Sequence, residues 1–235
     1  MFVAVKTYAT VAALRPLRAL LSPATPVVSL QNGASAVGQV EAALGPRPAI
    51  ALAPTTEAAT LVRPGLTRRT AVGRTRMGWA AGRAGDDRVL AELAAFLTAA
   101  GLATSVARPI EPDVWAKLVV NAAINPVTAL AHVPNGALLE RPELLERAER
   151  AAREAAAVAE ALGIALPFAD AAEAVADVAR ETAANRSSML ADLEHGRPTE
   201  IEDITGVIVR RARECDVDVP QNAALLDEVR ARTKA

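Results

Sequence analysis

The stretch Trp115-Ala-Lys117-Leu-Val-Val-Asn121-Ala-Ala-Ile-Asn125-Pro126-Val-Thr-Ala-Leu130 sets one lysine and two asparagines four residues apart in an otherwise apolar run. On an α-helix a step of four advances about 400°, so Lys117, Asn121 and Asn125 form one slowly drifting polar stripe. The remaining positions are apolar on nearly every side, which predicts a helix buried in a core. A buried ammonium flanked by carboxamides is costly unless something anionic or carbonyl-bearing meets it. A substrate fits that need. The ordinary alternatives are a lysine that snorkels to water or pairs with Asp113, its i−4 neighbour.

Working outward, the chain changes character near residue 108. Upstream, short β-branched runs alternate with turn signals. Phe2 to Val5, Pro26 to Leu30 and Ala49 to Leu52 read as strands, with helices at Thr10 to Leu21 and Ala36 to Leu44 between them. Pro64-Gly65 marks a turn, and Leu66 to Val72 with Thr75 to Trp79 suggests a β-hairpin. Asp86 to Ala100 is again helical. Such alternation favours an α/β layer with parallel strands. Downstream the strand signals stop. Helices are predicted at Asp113 to Ala131, Glu143 to Leu162, Ala169 to Ala183, Ser187 to Glu194, Glu200 to Cys215 and Gln221 to Thr233. Thr199 and Glu202 have capping-box spacing, which places Glu200 in a first helical turn where an acid favours the macrodipole. Pro220 suits the first position of the following helix. The expected organisation is a Rossmann-type domain over 1–108, joined by Arg108-Pro109 to an all-α domain over 109–235.

Composition narrows the function classes. A net charge of −1 over 235 residues gives no global attraction to nucleic acid or an anionic membrane. The 51% hydrophobic content is alanine-rich and spread through the chain, without an uninterrupted apolar run of spanning length. Met1 leads straight into Phe-Val-Ala-Val-Lys6, with no charged-then-apolar leader, so a cytoplasmic protein is expected. Cys215 has no second cysteine to pair with, and the two histidines, His132 and His195, make no metal cluster. Those histidines read as a helix-end and a loop residue. The arginines from Arg63 to Arg88 carry one aromatic among them, Trp79, and read as a solvated hairpin face rather than a nucleic-acid site. Gly33-Ala-Ser35-Ala-Val-Gly38 is one residue too long for a nucleophile elbow. The dinucleotide fingerprint G-x-G-x-x-G between a strand and a helix occurs nowhere.

Six short motifs in order carry a resemblance. Val5-Lys6, Leu30-Gln-Asn32-Gly33, the Trp115-x-Lys117…Asn121…Asn125-Pro126 stretch, Pro134-Asn135-Gly136, Asn185-x-Ser187-Ser188-Met189 and Glu200-Ile201 resemble the ketopantoate reductase (2-dehydropantoate 2-reductase) family over residues 2 to about 230. The resemblance implies a Rossmann-type parallel sheet followed by an all-α domain like that of 6-phosphogluconate dehydrogenase relatives. The family begins with a glycine-rich βαβ unit, and roughly 60 or more residues before Phe2 would be needed to supply it. Relative to the family, then, the sheet is expected to be N-terminally truncated.

The activity implied is NADPH-dependent reduction of 2-dehydropantoate to pantoate, a pantothenate-pathway step, in the cleft between the domains. Reduction of a 2-keto acid puts growing negative charge on the carbonyl oxygen, and a positioned cation that also donates a proton lowers that barrier. Lys117 is the expected general acid and Glu200 its organiser. The resemblance assigns substrate contacts to Asn32, Lys117, Asn121, Asn125, Asn135, Asn185 and Ser188, and cofactor contacts to Lys6, Asn32, Ala59 and Glu200. Taken one at a time these residues have local explanations. Asn125 precedes a proline, Asn135-Gly136 is a common turn pair, and Asn185 or Ser187 can cap a helix. A related reductase of another 2-keto or hydroxy acid, and a non-catalytic fragment that binds a partner, remain the alternative functions; a homodimer is a further expectation.

Overall fold

The computed structural model describes residues 1–46, 49–83 and 85–233. The chain divides into two compact units, Met1–Gln31 with Ala36–Val114, and Asn32–Ser35 with Trp115–Ala235. The division falls within a helix, between Val114 and Trp115, and gives the short loop 32–35 to the helical unit.

In the first unit, strands β1 (Phe2–Val3), β2 (Val27–Ser29) and β3 (Ile50–Leu52) run parallel. Helices α1 (Thr10–Leu14) and α2 (Ala36–Leu44) cross over between them. Side chains alternate across the sheet, as strand geometry requires. Val27 and Ile50 point to one face and bury against Leu14, Val40, Ala43 and Leu44 of α1 and α2. Val28 and Ala51 point to the other face, toward Leu90 and Ala94 of α3 (Asp87–Ala99). With both faces covered there, Val27, Val28, Ile50 and Ala51 can all be apolar. Asp86 caps α3 by accepting from the Arg88 amide at 2.9 Å.

The hairpin differs from the expected one. Strands β4 (Ala58–Arg63) and β5 (Leu66–Ala71) pair with each other around Pro64-Gly65, with Gly65 at φ +79°. Strand β6 (Thr75–Trp79) instead joins the main sheet antiparallel to β3, and β7 (Thr104–Val106) then pairs parallel to β6. The sheet order is β1-β2-β3-β6-β7 and the sheet is mixed rather than all parallel. The turn signal was sound; the strand before it escaped because nearly every side chain of β4 is exposed, leaving no alternation to read.

The second unit packs around α4 (Glu111–Ala131), which continues unbroken past Pro126. A helix of this length and mean hydropathy 1.3 would suit a membrane span, but 67% of that window is buried inside the protein. It is a core helix. His132, at φ 60°, ends it in the left-handed conformation. Around α4 lie α5 (Ala137–Glu140), α6 (Pro142–Ala161), α7 (Ala171–Glu181), α8 (Ser188–Glu194), α9 (Thr205–Glu214) and α10 (Pro220–Thr233). Alanines 148, 151, 152, 155 and 159 line the buried face of α6, and small side chains there let neighbouring helices approach closely.

Pro220 opens α10 as expected. The first free amides of that helix, Gln221 and Asn222, both donate at 2.8 Å to the carboxylate of Glu154 on α6. The Asn222 carboxamide adds bonds to Glu154 and to the Ala151 carbonyl. A carboxylate at this end also meets the positive end of the helix dipole.

Candidate functional site

The capping-box reading of Thr199 and Glu202 does not hold. Helix α9 starts at Thr205, and residues 201–204 form turns instead. The amides of Asp203 and Ile204 both donate to the Glu200 carbonyl at 3.1 Å. The Thr199 hydroxyl is buried without a hydrogen-bond partner, and Glu202 turns outward to a two-point pair with Arg230 at 2.6 and 2.9 Å. Glu200 therefore sits ahead of the helix, in a compact turn, only 5% exposed.

That turn gathers three of the expected site residues. Asn32 donates through Nδ2 to Glu200 Oε2 at 3.2 Å. Lys117, on the second turn of α4, feels the Glu200 charge. Part of the lysine surface remains accessible, yet its surroundings are dense. Desolvation dominates and pulls its pKa down to about 8, with Glu200 opposing the shift. Asp113, the alternative partner, instead accepts from Arg76 at 3.2 Å. Near Glu200 the carboxyl of Asp203 is pushed upward, first by burial; the Ser35 hydroxyl bond opposes this and the Glu200 charge adds to it.

Loop 32–35 meets this turn at short range. Ser35 Oγ donates to Asp203 Oδ1. Gly33 adopts φ +84°, and a Cβ there would lie 2.1 Å from the Asp203 carbonyl oxygen. Glycine is required twice over, by conformation and by space. Gly33→Ala is expected to cost about 2 kcal/mol or more in urea unfolding and to separate Asn32 from Glu200; an unchanged midpoint would contradict the close approach.

Farther along α4, Asn125 is 7% exposed. Its carbonyl accepts from Thr128 Oγ1 at 3.3 Å and Ser187 Oγ at 3.5 Å. Ser187 also takes the Leu190 amide and the Thr128 hydroxyl, so it is the helix cap and leaves Ser188 exposed in the first turn of α8. Asn121, one turn from Lys117, is partly buried.

Asn135 is 8% exposed. Its amide donates to the Asn185 carbonyl and its Nδ2 to Thr182 Oγ1, both at 2.9 Å. Its Oδ1 is buried with no partner, an acceptor that a donor-bearing ligand would satisfy. Asn135 and Asn185 thus meet through backbone.

In the first unit, Lys6 follows β1 and opens a single 3₁₀ turn. Gln31, which sequence reasoning passed over, ties the loops after β1 and β2 together. Its Nε2 donates to the Val5 carbonyl at 2.8 Å and to Thr10 Oγ1 at 2.6 Å. Ala59 lies on the exposed β4–β5 ribbon, a different sheet from that carrying Lys6. Thr128 and Asp203 were also passed over, and Ser35 was weighed only as part of a nucleophile elbow; the position of Asp203, three residues past Glu200, offered a signal.

Comparison with known proteins completes the description. Residues 1–82 match the family described as ketopantoate reductase PanE/ApbA, and residues 109–233 match its C-terminal domain. A 2-dehydropantoate 2-reductase from Halobacterium salinarum is 40% identical over 228 residues, covering 97% of this chain and 74% of that protein. Among solved structures, a PanE/ApbA family ketopantoate reductase from Ralstonia eutropha JMP134 superposes with TM-score 0.86 at 29% identity, covering 99% of this chain and 75% of the other. A D-mandelate dehydrogenase crystallised with NADH and anilino(oxo)acetate shares the fold, with TM-score 0.88 at 24% identity over 99% of this chain and 75% of its own. Matched in order along both its parts, and 40% identical to a relative it covers over most of its length, the chain belongs to the ketopantoate reductase family.

Proposed function

We propose that this chain binds NADPH and takes part in reduction of 2-dehydropantoate to pantoate, with Lys117 as the acid that protonates the keto oxygen. The observation that carries the reading is the buried Lys117 ammonium facing the charge of Glu200, with a pKa lowered to about 8. An ordinary lysine holds its proton too tightly near neutrality, and lowering its pKa toward the working range makes it a better donor without removing its charge. As negative charge grows on the keto oxygen, the ammonium stabilises it and then releases its proton to it.

Glu200 keeps Lys117 charged against the pull of burial, and Asn32 fixes one oxygen of Glu200. The neutral carboxamides of Asn121, Asn125, Asn135 and Asn185, with the Ser188 hydroxyl, suit the carboxylate and hydroxyls of the keto acid without retuning Lys117.

The residues present fit the nicotinamide end of a dinucleotide, while the glycine-rich turn that would cradle its pyrophosphate has no counterpart in this sequence. The parallel strands β1, β2 and β3 end on one edge of their sheet, where doubly wound folds bind such ligands, and Lys6 follows β1 there. Lys6 and Asn32 would hold the cofactor, with Glu200 and the backbone at Ala59 as further contacts. The chemistry it supplies when bound is hydride for the keto carbon. The D-mandelate dehydrogenase relative was solved with NADH; NADPH is our preference for this chain on family grounds. A homodimer is part of the same proposal, following the dimeric ketopantoate reductase of Staphylococcus aureus, a structural neighbour.

Titration of the chain with NADPH by nucleotide fluorescence, alone and with 2-dehydropantoate, tests the reading. Saturable binding that the keto acid tightens is expected. Absence of binding under both conditions would overturn it for this chain.

A further inference from the structure

One cluster in the helical unit has no role in the chemistry above. Ser35 and Asp203 are hydrogen-bonded to each other, and Asp203 is only 9% exposed. Neither touches the keto oxygen in the proposed reaction. Both, however, flank residues that do matter. Ser35 is three residues past Asn32, and Asp203 is three past Glu200. Asn32 and Glu200 are themselves bonded at 3.2 Å. Between these two contacts the backbones meet so closely that no side chain fits at Gly33.

A three-point contact between two four-residue segments is short and stiff. Removing the Ser35–Asp203 bond takes away the side-chain contact at one end of the loop and leaves the Asn32–Glu200 bond at the other. The Asp203 amide also donates to the Glu200 carbonyl, so a shift of the Asp203 side chain is felt in the backbone that carries Glu200.

We infer that Ser35 and Asp203 are a positioning pair: their hydrogen bond pins loop 32–35 to turn 200–204 and so keeps Asn32 on Glu200 in the orientation that serves Lys117. The inference rests on the proposed role of Glu200 and Lys117. Burying a carboxyl beside a second acid is unfavourable, and the upward shift of Asp203 reports that cost. An acceptor retained there against electrostatics has a geometric purpose.

The pair makes a distinctive prediction about variants. Ser35→Ala and Asp203→Ala each lose the bond. Asp203→Asn keeps an oxygen acceptor for the Ser35 hydroxyl while removing the charge. Small displacements of a catalytic group are costly, so Ser35→Ala and Asp203→Ala should each lower kcat about tenfold or more. KM for 2-dehydropantoate should change by about twofold or less, and the double variant should be no worse than either single one. Asp203→Asn should retain turnover within about twofold of the parent.

The readout that does not depend on turnover is the Asn32 side-chain amide in a spectrum of chain labelled with 15N-asparagine, identified by its disappearance in Asn32→Asp. It should move in Ser35→Ala and Asp203→Ala and stay in Asp203→Asn. An Asn32 signal unmoved by Ser35→Ala would overturn the inference, and so would a moved signal with unchanged kcat. Ser35→Ala removes only one hydroxyl, so the test survives if Asp203→Ala fails to fold. If the parent chain shows no turnover, the proposed function fails while the amide series still decides whether the pair positions Asn32.

Discussion

Replacing Lys117 by alanine is expected to lower kcat for 2-dehydropantoate by about 10³-fold, within the range of a lost general acid, while the Kd for NADPH changes by about threefold or less. The separation of the two quantities is the point. Lys117 lies in the second turn of α4, within the field of the Glu200 carboxylate. On the proposed mechanism its ammonium acts where charge develops during reaction, so its loss falls on the transition state. Alanine also leaves Glu200 buried without the cation, so thermal unfolding of the variant should be recorded beside its kinetics. Equal loss of turnover and nucleotide binding, or no loss of turnover, would remove Lys117 from the acid role.

The second large effect is a fall in kcat/KM at high pH. On the proposed mechanism the proton on Lys117 is the reactant, and burial lowers its pKa to about 8 despite Glu200. Below that pH the ammonium is present; above it the neutral amine can neither donate nor offset the charge on oxygen. The logarithm of kcat/KM should therefore be flat on the acid side and drop about one decade per pH unit above the ionisation, roughly fiftyfold between pH 8 and 10. In Lys117→Arg the guanidinium keeps its charge but not a transferable proton, so residual activity should be low and flat over the same range. An unchanged high-pH limb in that variant would assign the ionisation to another group.

Stability moves the other way. The unfolded lysine titrates near ~10.4 and the folded one lower, so between the two values the unfolded chain binds more protons. The penalty for burying the cation is fully present below about 8 and is relieved as pH rises toward the unfolded value.

How much of this was legible beforehand depends on burial. Helix α4 was readable because its apolar surround and its four-residue polar stripe are one periodic signal, and Lys117 and Asn121 fall on it. Strands β2 and β3 and helix α2 were readable because each faces a core. Strand β4 was not, since an exposed ribbon has no reason to alternate. Strand β7 is as short as β2 and β3 but has no fully buried side chain to give an apolar run. The antiparallel entry of β6 depends on where the ribbon returns the chain, a tertiary property. At the site, Glu200 stood out through the family resemblance, but its surroundings were misread. Thr199-x-x-Glu202 has the spacing of a helix start, and propensity alone does not reveal that the chain takes a tight turn first. Ser35 and Asp203 lie 168 residues apart. No local pattern links them.

The cap that Glu154 places on α10 has a consequence for how that helix starts. Its acceptor sits 67 residues upstream of the Gln221 amide it serves, so it leaves the exit tunnel well before the helix that needs it. Helix α10 cannot complete its own first turn from neighbouring residues, because Pro220 brings no amide and the amides of Gln221 and Asn222 look back to α6. The start of α10 is therefore set by a tertiary contact with α6, and a chain that began after Glu154 would leave those two amides without their acceptor.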